Sequence, residues 1–107
     1  MAEKIYDKAS VLVGAGAEGT VTVFTSTDEE PRKLVSISTN NVTDLVDLLV
    51  YDEREKIADV PADVKSLTNL PLVFDRPINV GNQLKVGIRN GTGGALTPVF
   101  SVCTEVG

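Results

Sequence analysis

Apolar and polar residues alternate through the stretch from Leu70 to Asn90, and this alternation limits the fold of the chain more than any other feature. The apolar side chains fall mostly on every second position, which is the period of a strand that buries one face. Pro77 interrupts the first run, and Gly81 lies in the turn signal at 80–83 that separates the two runs. The stretch therefore predicts a central hairpin, made of a kinked strand, a tight turn and a second strand.

The same alternation recurs on both sides of this stretch. Outside it, the pattern predicts strands over residues 5–13, 20–27, 33–39, 56–60 and 96–106. Polar or glycine-rich turns separate most of these runs, and residues 61–69 form a linking passage or a weak strand. The apolar residues are largely Val, Leu, Ile and Ala with few aromatic rings, a balance that indicates a helix-poor chain.

The alternation also assigns side chains to faces. One face of the last strand carries Phe100, Val102, Thr104 and Val106. In the strand over 33–39, one side carries Val35 and Ile37 and the other carries Ser36 and Ser38. We assign the three phenylalanines of the chain to the core because large apolar rings are usually buried.

Residues 42–51 allow two interpretations. Helical spacing is met by Val42, Leu45, Val46 and Leu49, with Asn41 as an N-cap. Strand spacing is met by Val46, Leu48 and Val50. We favour the strand, because residues 52–55 then form a polar turn into the strand over 56–60, and a hairpin agrees with its β neighbours. A short helical turn over 42–45 stays open as the alternative.

About eight short strands at roughly ten-residue spacing predict an all-β fold, either a sandwich or a small barrel. A chain of 107 residues is one domain. Eight strands favour a jelly roll over the seven-stranded immunoglobulin topology. We therefore predict a single compact, jelly-roll-like β-sandwich over residues 1–107 with about eight antiparallel strands, in which residues 1–8 form a flexible N-terminal arm.

The run Gly14-Ala15-Gly16-Ala17-Glu18-Gly19 matches the GxGxxG pattern of dinucleotide-binding proteins. In those proteins a helix begins directly after the glycines, and its amino terminus binds the pyrophosphate. The residues that follow here, 20–27, are β-branched and alternating, and they open a strand far more readily than a helix. We therefore interpret the run as a flexible hairpin loop.

The residue types of common catalytic and metal sites are scarce. The chain has no histidine and one cysteine, Cys103, which excludes an internal disulfide and a cysteine-based zinc site. We interpret Cys103 as a packed or half-exposed thiol, because a nucleophile needs a nearby base. The residues best suited to acid–base catalysis are pairs of carboxylates, such as Asp44 with Asp47 or Asp52 with Glu55. The chain has 15 Asp and Glu residues, however, and most carboxylates of a protein are exposed to solvent. We expect no enzyme, no catalytic or cofactor-binding residues, no bound metal and no cofactor.

The net charge of -5 argues against direct binding to nucleic acid, which depends on clustered Lys and Arg. We interpret the acidic run Asp28-Glu29-Glu30 as a solvated loop and not as a calcium site. The chain has no apolar run long enough to span a bilayer and no signal-peptide pattern, so we expect a soluble protein made outside the secretory route, without membrane insertion. The glycosylation sequons at Asn41 and Asn90 are then chance matches.

Residues 72–93 resemble the carboxy-terminal half of small β-sandwich structural proteins of phages and archaeal viruses. The resemblance lies in the Pro-Ile-x-Val run at Pro77–Val80 and in the strand that ends in Asn-x-Thr-Gly at Asn90–Gly93. It implies a jelly-roll capsid or capsid-decorating subunit of a virion, assembled in the host cytoplasm. It also implies a homo-oligomer, with a trimer as one candidate order, and contacts with other capsid proteins.

A subunit of this kind acts through interfaces, so termini, loops and edge strands are its candidate contacts. We select the arm Met1–Lys8 and the loops Gly14–Gly19 and Asp28–Pro31 for this role. One alternative is a carbohydrate- or ligand-binding module, although only Tyr6 and Tyr51 are left to stack on sugar rings once the phenylalanines are buried. Another is a cellular filament or surface-layer subunit of the same fold.

Overall fold

The computed structural model describes residues 3–28, 31–40, 45–61 and 72–106. Within these ranges every regular element is a β-strand. The strands are β1 Glu3–Ser10, β2 Glu18–Thr25, β3 Arg32–Thr39, β4 Val46–Asp52, β5 Glu55–Pro61, β6 Leu72–Ile78, β7 Gln83–Asn90 and β8 Val99–Val106. The described part of the chain is therefore all-β, as the alternation predicts.

The eight strands form two four-stranded antiparallel sheets. Sheet 1 has the order β1-β8-β3-β6, and sheet 2 has the order β2-β7-β4-β5. The first strand thus pairs with the last, the second with the seventh, the third with the sixth and the fourth with the fifth. This nested pairing is a long antiparallel ribbon folded over into two layers, and it confirms the predicted jelly-roll-like β-sandwich.

The core lies between the two sheets, where the inward side chains of alternate positions meet. The buried core residues are Val13, Phe24, Leu34, Ile37, Val46, Leu48, Val50, Ile78, Leu84, Val86, Ile88, Phe100 and Val102. Phe74 packs against this cluster, so all three phenylalanines belong to the core as predicted. Of the four β8 residues predicted to share a face, Phe100, Val102 and Thr104 are buried and Val106 is half-buried.

The predicted central hairpin is wrong in its pairing, although both of its strands exist. β6 pairs with β3 in sheet 1, whereas β7 pairs with β2 and β4 in sheet 2, so the turn after Ile78 crosses from one sheet to the other. Alternation reports which face of a strand is buried, and it does not report which strand lies beside it. The loop over Gly14–Gly19, predicted to close a hairpin, crosses between sheets in the same way.

The hairpin that does form is the one predicted around residues 52–55. β4 pairs with β5 across a two-residue turn at Glu53 and Arg54, in which Asp52 lies opposite Glu55. Glu53 has φ 57°, in the left-handed region that tight turns between antiparallel strands use. The strand interpretation is confirmed for Val46–Tyr51. Residues 41–44, which include most of the alternative helical turn, lie outside the described residues. Residues 62–71, which include most of the predicted linking passage, also lie outside them.

Two further predictions need correction. In β3 the buried residues are Leu34, Ile37 and Thr39, not Val35, because a bulge between Leu34 and Ser36 inserts one residue and reverses the alternation. The expected flexible arm lies in β1 from Glu3 onward, since its backbone pairs with β8 over the full length of the strand. Beyond β1, Val13 forms an isolated bridge with Leu96 and is buried.

Candidate functional site

The outer face of sheet 2 carries an ionic network centred on Arg89 of β7. Its Nε donates to Glu18 of β2 (3.0 Å), and its Nη1 donates to Asp47 of β4 (2.7 Å). Both terminal nitrogens also donate to Asp59 of β5, at 3.2 and 2.9 Å. One guanidinium group therefore connects all four strands of the sheet. This fork geometry matches the two oxygens of a carboxylate.

The charges in this network stabilise one another. Hydrogen bonds from Arg89 lower the pKa of the Asp59 carboxyl below its usual 3.8, with Lys56 adding a smaller effect in the same direction. The bond to Asp59 raises the pKa of Lys56, and the bonds to the three carboxylates raise the pKa of Arg89. These shifts favour the charged forms of Asp59, Lys56 and Arg89, so the network holds the strands of sheet 2 together through ionic hydrogen bonds.

A second ionic cluster joins the two sheets at one end of the sandwich. Arg76 of β6 donates from Nε to Asp52 of β4 (3.0 Å) and from Nη2 to Glu55 of β5. The buried carboxylate of Asp52 also accepts a bond from the side-chain amide of Asn82 (3.1 Å). Its carboxylate thus receives donors on both oxygens, which satisfies a buried charge. The bond to Asp52 is the main reason that the pKa of Arg76 is raised.

These two clusters locate the acidic pairs considered from the sequence. Asp52 and Glu55 both bond to the guanidinium group of Arg76. That group therefore occupies the position that a substrate would need between the two carboxylates. Asp47 is bonded to Arg89, and Asp44 lies outside the described residues. Among the described residues, no group of three or more His, Cys, Asp or Glu side chains is placed to hold a metal ion.

A shallow hollow of about 490 Å³ lies on sheet 2 beside the Arg89 network. Its lining comprises Glu18, Gly19, Thr20, Tyr51, Glu53, Arg54 and Lys85. The ring of Tyr51 is covered on one face by the ammonium group of Lys56, which lies 5.9 Å from the ring centre. Acidic and basic side chains therefore line the hollow together with the ring of Tyr51, one of the two tyrosines considered for ligand stacking.

Asn90 organises the opposite end of the sandwich, and sequence reasoning missed this role. Its buried amide donates to the carbonyl oxygens of Val13 (3.1 Å) and Gly94 (2.9 Å). Its amide oxygen accepts bonds from the N–H (2.9 Å) and the hydroxyl (2.6 Å) of Thr92. The main chain of Asn90 also pairs with Gly16 and Ala17. The Asn-x-Thr-Gly run thus closes the β7–β8 loop and binds it to the β1–β2 loop.

This network also accounts for the GxGxxG-like run. Gly16 has φ 73°, a conformation that favours glycine, and its N–H donates to the carbonyl of Asn90 (2.8 Å). The element that follows is β2 and not a helix, in agreement with the interpretation from the sequence. Of the acidic run at 28–30, only Asp28 is described, and it is exposed in the loop after β2.

The outer face of sheet 1 differs from that of sheet 2. Tyr6 is 71% exposed and Val73 is 72% exposed. They lie on β1 and β6, the two edge strands of the sheet. Cys103 lies between them on β8 and is buried, as a packed thiol. Two further apolar side chains, Leu12 and Leu45, are exposed near the end organised by Asn90. These residues give sheet 1 and that end exposed apolar surface.

The described residues thus form an eight-stranded, jelly-roll-like β-sandwich. Comparison with protein-family models, with curated proteins and with solved structures found no match to this chain. None of the described residues belongs to a helix long and apolar enough to cross a membrane.

Proposed function

We propose that the protein is a virion structural subunit that builds or decorates a capsid through contacts with copies of itself and with other capsid proteins. The observation that carries this proposal is the nested strand order of two four-stranded sheets. Jelly rolls of this order are characteristic of viral capsid domains, although lectins and other proteins share them. Because one fold serves many functions, the proposal rests on analogy of fold together with the surface described above.

The exposed apolar residues support an interfacial role. Tyr6 and Val73 at the edges of sheet 1, and Leu12 and Leu45 at one end, are each more than half exposed. Surfaces of this kind are typical of sites where proteins meet. On sheet 2, Arg89 is bonded to three carboxylates of its own chain. The proposal includes a homo-oligomer, with a trimer as one candidate order, and a location in the virion after assembly in the host cytoplasm.

Light scattering behind a sizing column tests this proposal, with protein concentration and salt varied. A capsid subunit is expected to form a defined oligomer above the monomer mass of 11.4 kDa. Electron microscopy then examines any particle that forms. A protein that stays monomeric at the highest concentration, and that attaches to no shell, would contradict the proposal.

The hollow beside Tyr51 favours a second candidate, a carbohydrate- or ligand-binding module. It offers a ring, the hydroxyl of Thr20 and charged side chains of both signs in one place. Sugar recognition combines an aromatic face with polar groups in this way. A saturable signal on a glycan array that is lost in Tyr51→Ala would favour this module. A cellular filament or surface-layer subunit would share the self-association, and electron microscopy of the assembly separates it from a capsid.

A further inference from the structure

Asn90 is the only asparagine of the chain that is followed by glycine. In an Asn-Gly pair, the main-chain nitrogen of the glycine attacks the side-chain amide carbon of the asparagine, because glycine has no side chain to obstruct the approach. The nitrogen loses its proton, ammonia leaves, and a five-membered succinimide ring forms. Water then opens the ring to give aspartate or isoaspartate. Asn-Gly pairs are therefore the asparagine sites that deamidate most readily in unfolded chains.

The folded protein engages every group that this reaction needs. The N–H of Gly91, which contains the attacking nitrogen, donates to the carbonyl oxygen of Leu45 (2.8 Å). The amide nitrogen of the Asn90 side chain, which is the leaving group, donates to two main-chain carbonyl oxygens. The amide oxygen accepts from both the N–H and the hydroxyl of Thr92. All of these bonds must break before the ring can close.

The position of Asn90 in the sheet adds to this protection. The residue is fully buried, so the water that opens the ring does not reach it. Its main chain is extended in β7, opposite Val46 of β4. Closing the ring requires rotation of the main chain out of this extended conformation. The reaction must therefore wait until this end of the sandwich opens.

Such opening does not require the whole sandwich to unfold. The β1–β2 loop over 11–17 and the β7–β8 loop over 91–98 are joined by the main-chain bonds of Asn90 and by the isolated bridge between Val13 and Leu96. The glycines of both loops are exposed. Local opening breaks these bonds and the last pair of β7 with β4, and it leaves the rest of both sheets paired. Segments with exposed backbone bonds and few buried contacts are those that open most readily.

We propose that Asn90–Gly91 is a latent deamidation site that makes the opening of this end of the sandwich permanent. A molecule that opens and closes again before it reacts regains all of its bonds. A molecule that reacts while open carries a carboxylate in place of the amide, and the carbonyl oxygens of Val13 and Gly94 lose their donor. An unpaired buried charge opposes closure, and isoaspartate also lengthens the main chain. The end that Asn90 organises therefore acts as a one-way switch.

Deamidation measured side by side in native buffer and in urea, both mildly alkaline, tests the protection. Peptide mass spectrometry reports the modified fraction at each asparagine. In urea, Asn90 is expected to react faster than Asn79 and Asn82, which precede valine and glutamine and are internal controls. In native buffer, Asn90 should react at least about tenfold more slowly than in urea. An Asn90 that reacts equally fast in both buffers overturns the inference.

Variants of Thr92 test whether the network of Asn90 controls the rate. Thr92→Val removes the hydroxyl that bonds to the amide oxygen (2.6 Å) and keeps the volume of the side chain. It should increase the rate at Asn90 in native buffer several-fold relative to its own rate in urea. Thr92→Ser, which retains the hydroxyl, and Thr22→Val, which changes an exposed threonine of β2, should both match the wild type. Circular dichroism checks that each variant is folded. Equal protection in Thr92→Val and Thr22→Val overturns the control by this network.

Refolding tests whether the change is permanent. Wild-type protein is deamidated in urea and returned to native buffer, and ion-exchange chromatography separates the product by its additional negative charge. The unmodified fraction should regain the wild-type urea midpoint, whereas the fraction modified at Asn90 should unfold at a lower urea concentration. A modified fraction with the wild-type midpoint overturns the one-way switch. Each of these outcomes leaves the proposed function standing, because the reaction needs only the chain itself and water.

Discussion

Arg89 and Asn90 are neighbours in β7, and their side chains lie on opposite faces of the sheet. Arg89 is half-exposed and bonds to carboxylates of three other strands. Asn90 is fully buried and bonds to main-chain groups of two loops. The first network is ionic and open to water, and the second is neutral and closed to it. Two adjacent residues of one strand thus show two ways of holding a sandwich together.

The difference predicts where stability resides. Each half-exposed ion pair exchanges contacts with water for contacts with protein, and it contributes little. Removing a buried amide leaves its partners without hydrogen bonds in a place that water does not reach, and this costs much more. Asn90 should therefore dominate the stability of the fold, while Arg89 should determine how that stability responds to pH and salt.

The largest effect is expected for Asn90→Asp at neutral pH. A carboxylate oxygen would then face the carbonyl oxygens of Val13 and Gly94, in the place of the donor group that bonds to both. An unpaired buried charge costs about 3–5 kcal/mol. Burial raises the pKa of the new carboxyl, so the deficit should shrink as the pH falls below that pKa and the group becomes neutral. Urea unfolding of the variant and the wild type at pH 7 and pH 4 measures this difference.

Asn90→Ala should lower the free energy of unfolding by about 2–3 kcal/mol, because it removes both donors and the acceptor of a buried network. Its deficit should be the same at pH 7 and pH 4, since no charge is involved. Asn79→Ala, which changes an exposed asparagine in the β6–β7 turn, is the matched control and should stay near the wild type. Equal losses in the two variants would contradict the role assigned to Asn90.

Arg89→Met should have a smaller effect than either change at Asn90, because the charges it leaves unpaired are partly solvated. The difference between this variant and the wild type should also decrease in high salt, which screens exposed charges. Thermal unfolding at low and high salt measures both. A salt-independent loss as large as that of Asn90→Ala would show that the two networks do not differ in the way proposed.

The smallest effect concerns the acid limb of stability. Hydrogen bonds from Arg89 lower the pKa of Asp59 in the folded protein below its usual 3.8, so the folded state binds this proton less readily than the unfolded chain. The stabilisation is complete above pH 3.8 and is lost as the pH falls through the lower, folded-state value. Chemical unfolding between pH 6 and pH 2 should therefore show a weaker acid dependence in Arg89→Met than in the wild type.

The location of most strands could be predicted because each depends on a local property, the alternation of side chains. Phe100 and Val102 follow one another at every second position and are buried as that pattern requires. The alternation predicts the wrong face for Val35, because the bulge in β3 depends on the pairing of that strand with β6 and β8 and is not visible in the alternation. The Asn-x-Thr-Gly run is visible in the sequence, but the bond from Asn90 to Val13 joins residues far apart in the chain and cannot be predicted from the run.

The sequence by itself determined that this protein is rich in β-strands that each bury one face, because burial of alternate side chains is set by residues next to one another along the chain. Only the tertiary structure decided that β6 and β7 lie in opposite sheets and that Arg89 reaches three other strands. Those relations depend on which strands become neighbours. The packing of two whole sheets against one core determines which strands pair, and a local sequence pattern does not encode that pairing.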